Sequence, residues 1–93
     1  MGINYSVIYH EAVSKEISGI PAVWRKKIQK AVEEKLQTCP DIFGKPLRQS
    51  LAGYRSIRIG DYRVVFRIEK KTVKIFAIQH RSIVYTTLNK RIS

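Results

Sequence analysis

Cysteine occurs once, at Cys39, so no intramolecular disulfide can form; that fits a reducing compartment such as the cytoplasm. Histidine occurs twice, and the two imidazoles, the one thiol and seven scattered acids offer no metal-ligand spacing, so neither a metal nor any other cofactor is expected. The acids are also too dispersed for hydrolysis by a carboxylate pair. The five glycines form no phosphate-cradling loop. No apolar run approaches the roughly 20 residues of a membrane-spanning helix. The first residues, MGINYSVIYHE, lack the basic start and apolar stretch of a signal peptide, so no membrane partner is expected. Internal repeats and low-complexity segments are absent.

What is abundant is positive charge. Eighteen Lys and Arg oppose seven Asp and Glu, a net of +11 over 93 residues, and 44% hydrophobic content supports a folded core rather than disorder. A chain of this length is read as one domain, residues 1–93. The charge is unevenly placed: residues 1–44 carry a net of +1 and residues 45–93 a net of +10. Such a concentration attracts polyanions, nucleic acid first, with an acidic protein or an anionic membrane surface as the other candidates.

Local patterns predict a strand over Asn4–His10, a short helix over Glu11–Ser18 and a longer one from Pro21 to about Thr38. Trp24, Ile28, Val32 and Leu36, spaced four apart, form the apolar stripe of the longer helix. Cys39–Ala52 reads as a connection. Three strands follow, at Tyr54–Ile59, Tyr62–Ile68 and Thr72–Ile78, with Gly60-Asp61 as a tight turn. Ser82–Lys90 is a possible short C-terminal helix. The order of strand, two helices and three antiparallel strands predicts an α+β domain with helices packed on one face of a small sheet.

Strand alternation then resolves the hairpin. A two-residue turn at Gly60-Asp61 pairs Ile59 with Tyr62, Arg58 with Arg63 and Ile57 with Val64. One face carries Ile57, Ile59, Tyr62, Val64 and Phe66, and the other Tyr54, Ser56, Arg58, Arg63, Val65 and Arg67. Like charges directly opposite destabilise a sheet by a few tenths to about 1 kcal/mol. A phosphate held between two guanidinium groups reverses that penalty. Extending the register to the third strand sets Arg63 opposite Ile78 and brings His80 out on the arginine face, with Arg81 and Tyr85 close behind.

That grouping suits RNA cleavage. A base takes the proton of the 2′-hydroxyl, cations stabilise the pentavalent phosphorane, and an acid protonates the departing 5′-oxygen. Arginines supply the cations. Histidine has an ordinary pKa of about 6.5 and suits proton transfer. Tyrosine can move a proton or stack on a base. Arg58, Arg63, His80, Arg81 and Tyr85 are therefore the candidate catalytic residues.

The stretches GKPLRQSLAGYRSIRIGDYRVVFRI (Gly44–Ile68) and FAIQHRSIVYTTL (Phe76–Leu88) resemble the RelE/YoeB branch of the RelE/ParE toxin superfamily. The shared features are a lysine-proline-leucine-arginine lead-in, an arginine-bearing hairpin and a histidine-arginine…valine-tyrosine ending. The resemblance implies a toxin of a type II toxin–antitoxin system that inhibits translation. Such a toxin enters the A site of the ribosome's 30S subunit, contacts its rRNA and cuts mRNA without a metal, and a cognate antitoxin restrains it. It matches Arg63 to the hairpin arginine at the scissile phosphate, Arg81 to the terminal arginine, Tyr85 to the stacking or proton-transferring tyrosine and Arg58 to a catalytic lysine. His80 falls where several relatives carry histidine, and Arg55 matches a neighbouring basic position. Lys45, Arg48, Arg55, Arg67 and Lys74 are the expected RNA- and ribosome-binding residues. Lys45 stands where YoeB has a glutamate, which leaves the general base open. Two other activities fit: poisoning of DNA gyrase in the manner of ParE proteins, or RNA and ribosome binding without catalysis.

Overall fold

Ser6–Tyr9 forms the first strand, β1, of a chain whose structure, a computed structural model, describes residues 4–92. His10 ends it, and its Nδ1 accepts the Ala12 N–H at 3.1 Å, satisfying one of the donors that a helix start leaves open. Helix α1 follows at Val13–Ser18 and stops at Gly19. Pro21, extended at ψ 144°, directs the chain into α2, Ala22–Ala31, which continues through a π-helical turn at Val32–Leu36. That turn has a physical role. A four-residue repeat drifts about 40° per step around an α-helix of 3.6 residues per turn. The wider turn takes up the drift, so Ile28, Val32 and Leu36 all stay buried.

The segment expected to be a plain connection contains a short helix, α3 (Pro40–Phe43), a two-residue strand, β2 (Lys45–Pro46), and a 3-10 turn at Gln49–Leu51. Strands β3 (Arg55–Ile59), β4 (Tyr62–Glu69) and β5 (Thr72–His80) then lead to helix α4, Val84–Ile92. The five strands lie in the order β1-β5-β4-β3-β2, with β1 parallel to β5 and the rest antiparallel. The mixed α+β class holds. Helices α1 and α2 cover one face over a core that includes Ile28, Leu36, Val64, Phe66 and Ile75. Each fully buried side chain of this size contributes about 1.5–3 kcal/mol relative to exposure. Helix α4 covers the second face, where Val84 and Leu88 pack on Val65 and Ala77.

Two departures from the simple register shape the site. Phe66 pairs with Ile75, as expected, but Val65 pairs with Ala77, so Phe76 is an extra residue in β5. A bulge of this kind turns every later side chain of its strand to the other face. The second departure lies at the other edge of β5. Pairing with β1 stops at Ile75, and the exposed edge beyond it is closed by side chains. The Ile78 N–H donates to Glu16 Oε1 at 3.0 Å, and the Phe76 carbonyl accepts from Arg91 Nη1 at 2.7 Å. Arg91 Nη2 and Glu16 Oε2 are 2.5 Å apart, which ties α4 to α1 around that edge.

Candidate functional site

The hairpin pairs as its turn dictates. Arg58 lies opposite Arg63, Ile57 opposite Val64 and Ile59 opposite Tyr62. Gly60 adopts φ +59°, a conformation that glycine reaches at little cost. A Cβ there would lie 2.3 Å from the Trp24 ring, and Tyr62 packs on the same ring at 5.7 Å. The hairpin tip is thereby seated on α2, which fixes the strands that carry the two arginines. Arg63 is half-buried and Arg58 exposed, and Arg58 Nε donates to the Gly60 carbonyl at 3.3 Å.

Other groups join this pair on the second face. Tyr85, carried by α4, places its hydroxyl 3.4 Å from Ser56 Oγ, and Ser56 is the buried polar residue one row from Arg58. Lys45 pairs with Ser56 across β2 and so stands on the same face at the sheet edge. Arg81 lies at the same end of the sheet. Its N–H donates to the Asp61 carbonyl at 2.8 Å, and its Nε is 3.7 Å from Asp61 Oδ1. Both side chains are more than half exposed, so this ion pair orients more than it stabilises.

His80 is not among them. The bulge at Phe76 sets Gln79, not Ile78, opposite Arg63, and pairs His80 with Tyr62 on the first face. The imidazole packs edge-on against Tyr62 at 6.0 Å, and its Nδ1 accepts the Ser82 N–H at 3.1 Å and meets Ser82 Oγ at 2.9 Å. It caps the turn into α4, and its expected place on the arginine face is corrected.

Arg55 also faces away, opposite Phe66, and its Nη2 donates to the carbonyls of Asp41 and Gly44 at 2.8 and 2.6 Å. It ties α3 and β2 to the sheet. Arg67 and Lys74 pair with each other on the second face, roughly 13 Å from Arg63 at about 3.3 Å per residue. There they lie over Tyr54 and Phe76, and Arg67 also meets Glu69 at 3.3 Å. Arg48 is exposed in the loop between β2 and β3.

Gln79 is the residue that the sequence reading missed. Its signal lay in the polarity of β5: strict alternation after Ile75 would point Ile78 to the charged face and Gln79 into the core. One extra residue restores both to suitable surroundings. The face then presents a row of Arg58, Arg63 and Gln79, with Tyr85 beside it and Lys45 at the edge. Anion binding with neighbouring proton transfer is the chemistry that this set can perform.

The family model described as ParE toxin of type II toxin–antitoxin system, parDE, matches residues 7–85. The chain belongs to the RelE/ParE toxin superfamily. It is 35% identical to toxin RelE of Mycobacterium tuberculosis over 83% of this chain and 86% of that one. It is 50% identical to toxin RelG of the same organism over 44 residues, a match that spans only 51% of that relative. Among solved structures, the RelBE toxin–antitoxin complex of M. tuberculosis aligns at a TM-score of 0.79 and 31% identity, covering 85% of this chain and 100% of its counterpart. A form of E. coli toxin RelE with two arginines replaced by alanine has the same fold, at a TM-score of 0.75 and 21% identity over 97% and 99% of the two chains. The chain therefore combines a RelE-like fold with a cross-strand arginine pair, Arg58 and Arg63, on the face that α4 partly covers.

Proposed function

We propose that this toxin is an endoribonuclease that cuts mRNA in the ribosomal A site, without a metal, and so halts translation in the cytoplasm. The observation that carries the proposal is the Arg58–Arg63 cross-strand pair with the Tyr85 hydroxyl one row away. Two cations facing each other weaken a sheet unless an anion lies between them. In this mechanism the 2′-oxygen attacks the adjacent phosphorus. The new P–O bond forms as the bond to the 5′-oxygen breaks, leaving a cyclic phosphate and a free 5′-hydroxyl. Arg58 and Arg63 stabilise the added charge of the phosphorane, and Arg81 binds the backbone beside it. Proton transfer falls to Tyr85, because His80 faces the other way. Lys45 and Arg48 extend the positive surface toward RNA, and Arg67 and Lys74 form a second basic area on the same face. A cognate antitoxin is the proposed inhibitor. Relatives of this chain are solved in toxin–antitoxin complexes, and an acidic partner suits the basic second face.

The test is primer extension on a message translated in the presence of the purified protein. Breaks positioned by codon are expected, and Arg63→Ala should lower the rate on the order of a hundredfold to a thousandfold while the fold stays intact. A folded Arg63→Ala protein that still cuts and still arrests growth would sink the assignment. The ParE family match favours a second activity, inhibition of DNA gyrase. Intact message together with gyrase-linked DNA breaks would select it.

A further inference from the structure

Ser56 is a polar residue buried under α4, 4% exposed, and among the described residues its hydroxyl meets one hydrogen-bonding group, the Tyr85 hydroxyl at 3.4 Å. A serine hydroxyl has one hydrogen to give and two lone pairs to receive. Burial makes the hydrogen the demanding half, because native folds leave a buried donor unmet more rarely than an oxygen with a spare lone pair. The Ser56 O–H therefore donates to the Tyr85 oxygen. Tyr85 is only half-buried, and this bond leaves its own O–H free to turn outward. Ser56 and Arg58 lie on the same face, two residues apart along β3, which is about 7 Å. The freed phenol proton thus belongs to the arginine face.

We infer that Ser56 is a positioning residue that sets Tyr85 as the acid of the cleavage step, with the phenol proton directed at the departing 5′-oxygen. The inference rests on the endoribonuclease assignment above. Phenols enter a reaction near neutral pH with their proton on. As the bond from phosphorus to the 5′-oxygen breaks, that oxygen takes the Tyr85 proton and becomes the free 5′-hydroxyl. The 2′-hydroxyl proton passes to solvent water, and the tyrosinate regains a proton from solvent once the products leave, so the protons balance. The Ser56 O–H acts at both stages. It orients the phenol before transfer, and it donates to the phenolate oxygen afterwards, a bond that strengthens as the negative charge develops.

The test is single-turnover cleavage of two messages on programmed ribosomes. One is ordinary, and the other carries sulfur in place of the 5′-oxygen at the scissile linkage. Sulfur departs as a thiolate without needing a proton, so a lost acid slows only the ordinary message. Tyr85→Phe is expected to slow the ordinary message on the order of a hundredfold and the sulfur message little. Ser56→Ala is expected to slow the ordinary message about threefold to tenfold, the worth of one neutral hydrogen bond, and to spare the sulfur message. In the Tyr85→Phe background, Ser56→Ala should cost nothing further, because Ser56 acts through the phenol. If Ser56→Ala does not fold, Ser56→Cys, close in volume and a weaker donor, takes its place. A Ser56 variant that cuts ordinary message at the wild-type rate overturns the inference. So does one that slows both messages alike or still slows the Tyr85→Phe protein, since Ser56 would then act through the fold alone. Tyr85→Phe that slows both messages alike, or neither, overturns it as well. Wild-type protein that leaves ordinary message uncut overturns the endoribonuclease assignment and this inference with it. Wild-type cutting combined with any of the earlier outcomes overturns this inference alone.

Discussion

Replacing Arg91 with methionine tests how α4 is held over the site. Arg91 makes two contacts that leave with it: the ion pair to Glu16 at 2.5 Å and the hydrogen bond to the Phe76 carbonyl at 2.7 Å. The side chains of the pair are 15% and 6% exposed, so solvent screens it little. Removing one partner of a buried pair costs about 3–5 kcal/mol, mainly because the other charge stays buried without compensation. A domain of this size has on the order of 5–14 kcal/mol of stability in all. Arg91→Met should therefore still fold in cold buffer, yet melt lower by roughly 4–8 °C per kcal/mol lost. Glu16→Leu should cost a similar amount, because it also strands the Ile78 N–H. The double variant should lose clearly less than the sum of the two, since apolar replacement of a whole buried pair is often neutral. Urea unfolding followed by circular dichroism measures all three. Single losses below about 1 kcal/mol, or a double loss equal to the sum, would refute the reasoning. Tyr85 rides on α4, so the proposed cleavage should weaken in Arg91→Met before the fold is lost.

Three further outcomes are expected. Gly60→Ala should lower the melting temperature and disturb the hairpin, because a Cβ would meet the Trp24 ring at 2.3 Å in a backbone conformation at φ +59°; an unchanged melting curve would contradict the seating of the turn on α2. His80→Gln should leave single-turnover cleavage and its pH profile nearly unchanged, since the imidazole packs on Tyr62 and caps Ser82; loss of one limb of the profile would return His80 to the chemistry. The Tyr9 phenol is held above its ordinary 10.0, first by burial and then by the negative charge of Glu33. Its folded-state value is the higher one, so its contribution to stability is complete below pH 10 and is lost as pH rises through the folded value. Ultraviolet titration of wild type against Tyr9→Phe should show one late-titrating phenol, and Glu33→Gln should move it back toward 10; a Tyr9 that titrates with free tyrosine would refute this.

The hairpin was legible in the sequence because its geometry is local. Two turn residues and strict alternation set Arg58 against Arg63, and no distant contact is needed to know it. The apolar stripe of α2 was legible for the same reason, as was the division of charge between the two halves of the chain. The role of Arg55 was not. A basic residue in a basic segment looks like a ligand-binding group, and only the approach of α3 and β2 gives its guanidinium two carbonyls to bind.

The sequence by itself determined the order of the longer elements, the two faces of the hairpin and the presence of an arginine pair, all set by turn chemistry and side-chain periodicity, while α3 and β2 in the segment read as a connection came only from the structure. The tertiary structure alone decided which side chain of β5 completes that pair. A single extra residue at Phe76 exchanges Gln79 for His80 on the arginine face, because side-chain direction in a strand alternates with a period of two. The place of α4 was decided there as well. A short helix over Ser82–Lys90 was legible in the sequence, but only the packing of Val84 and Leu88 on Val65 and Ala77, with the Glu16–Arg91 contact around the open edge of β5, sets it on the second face with Tyr85 beside the arginines.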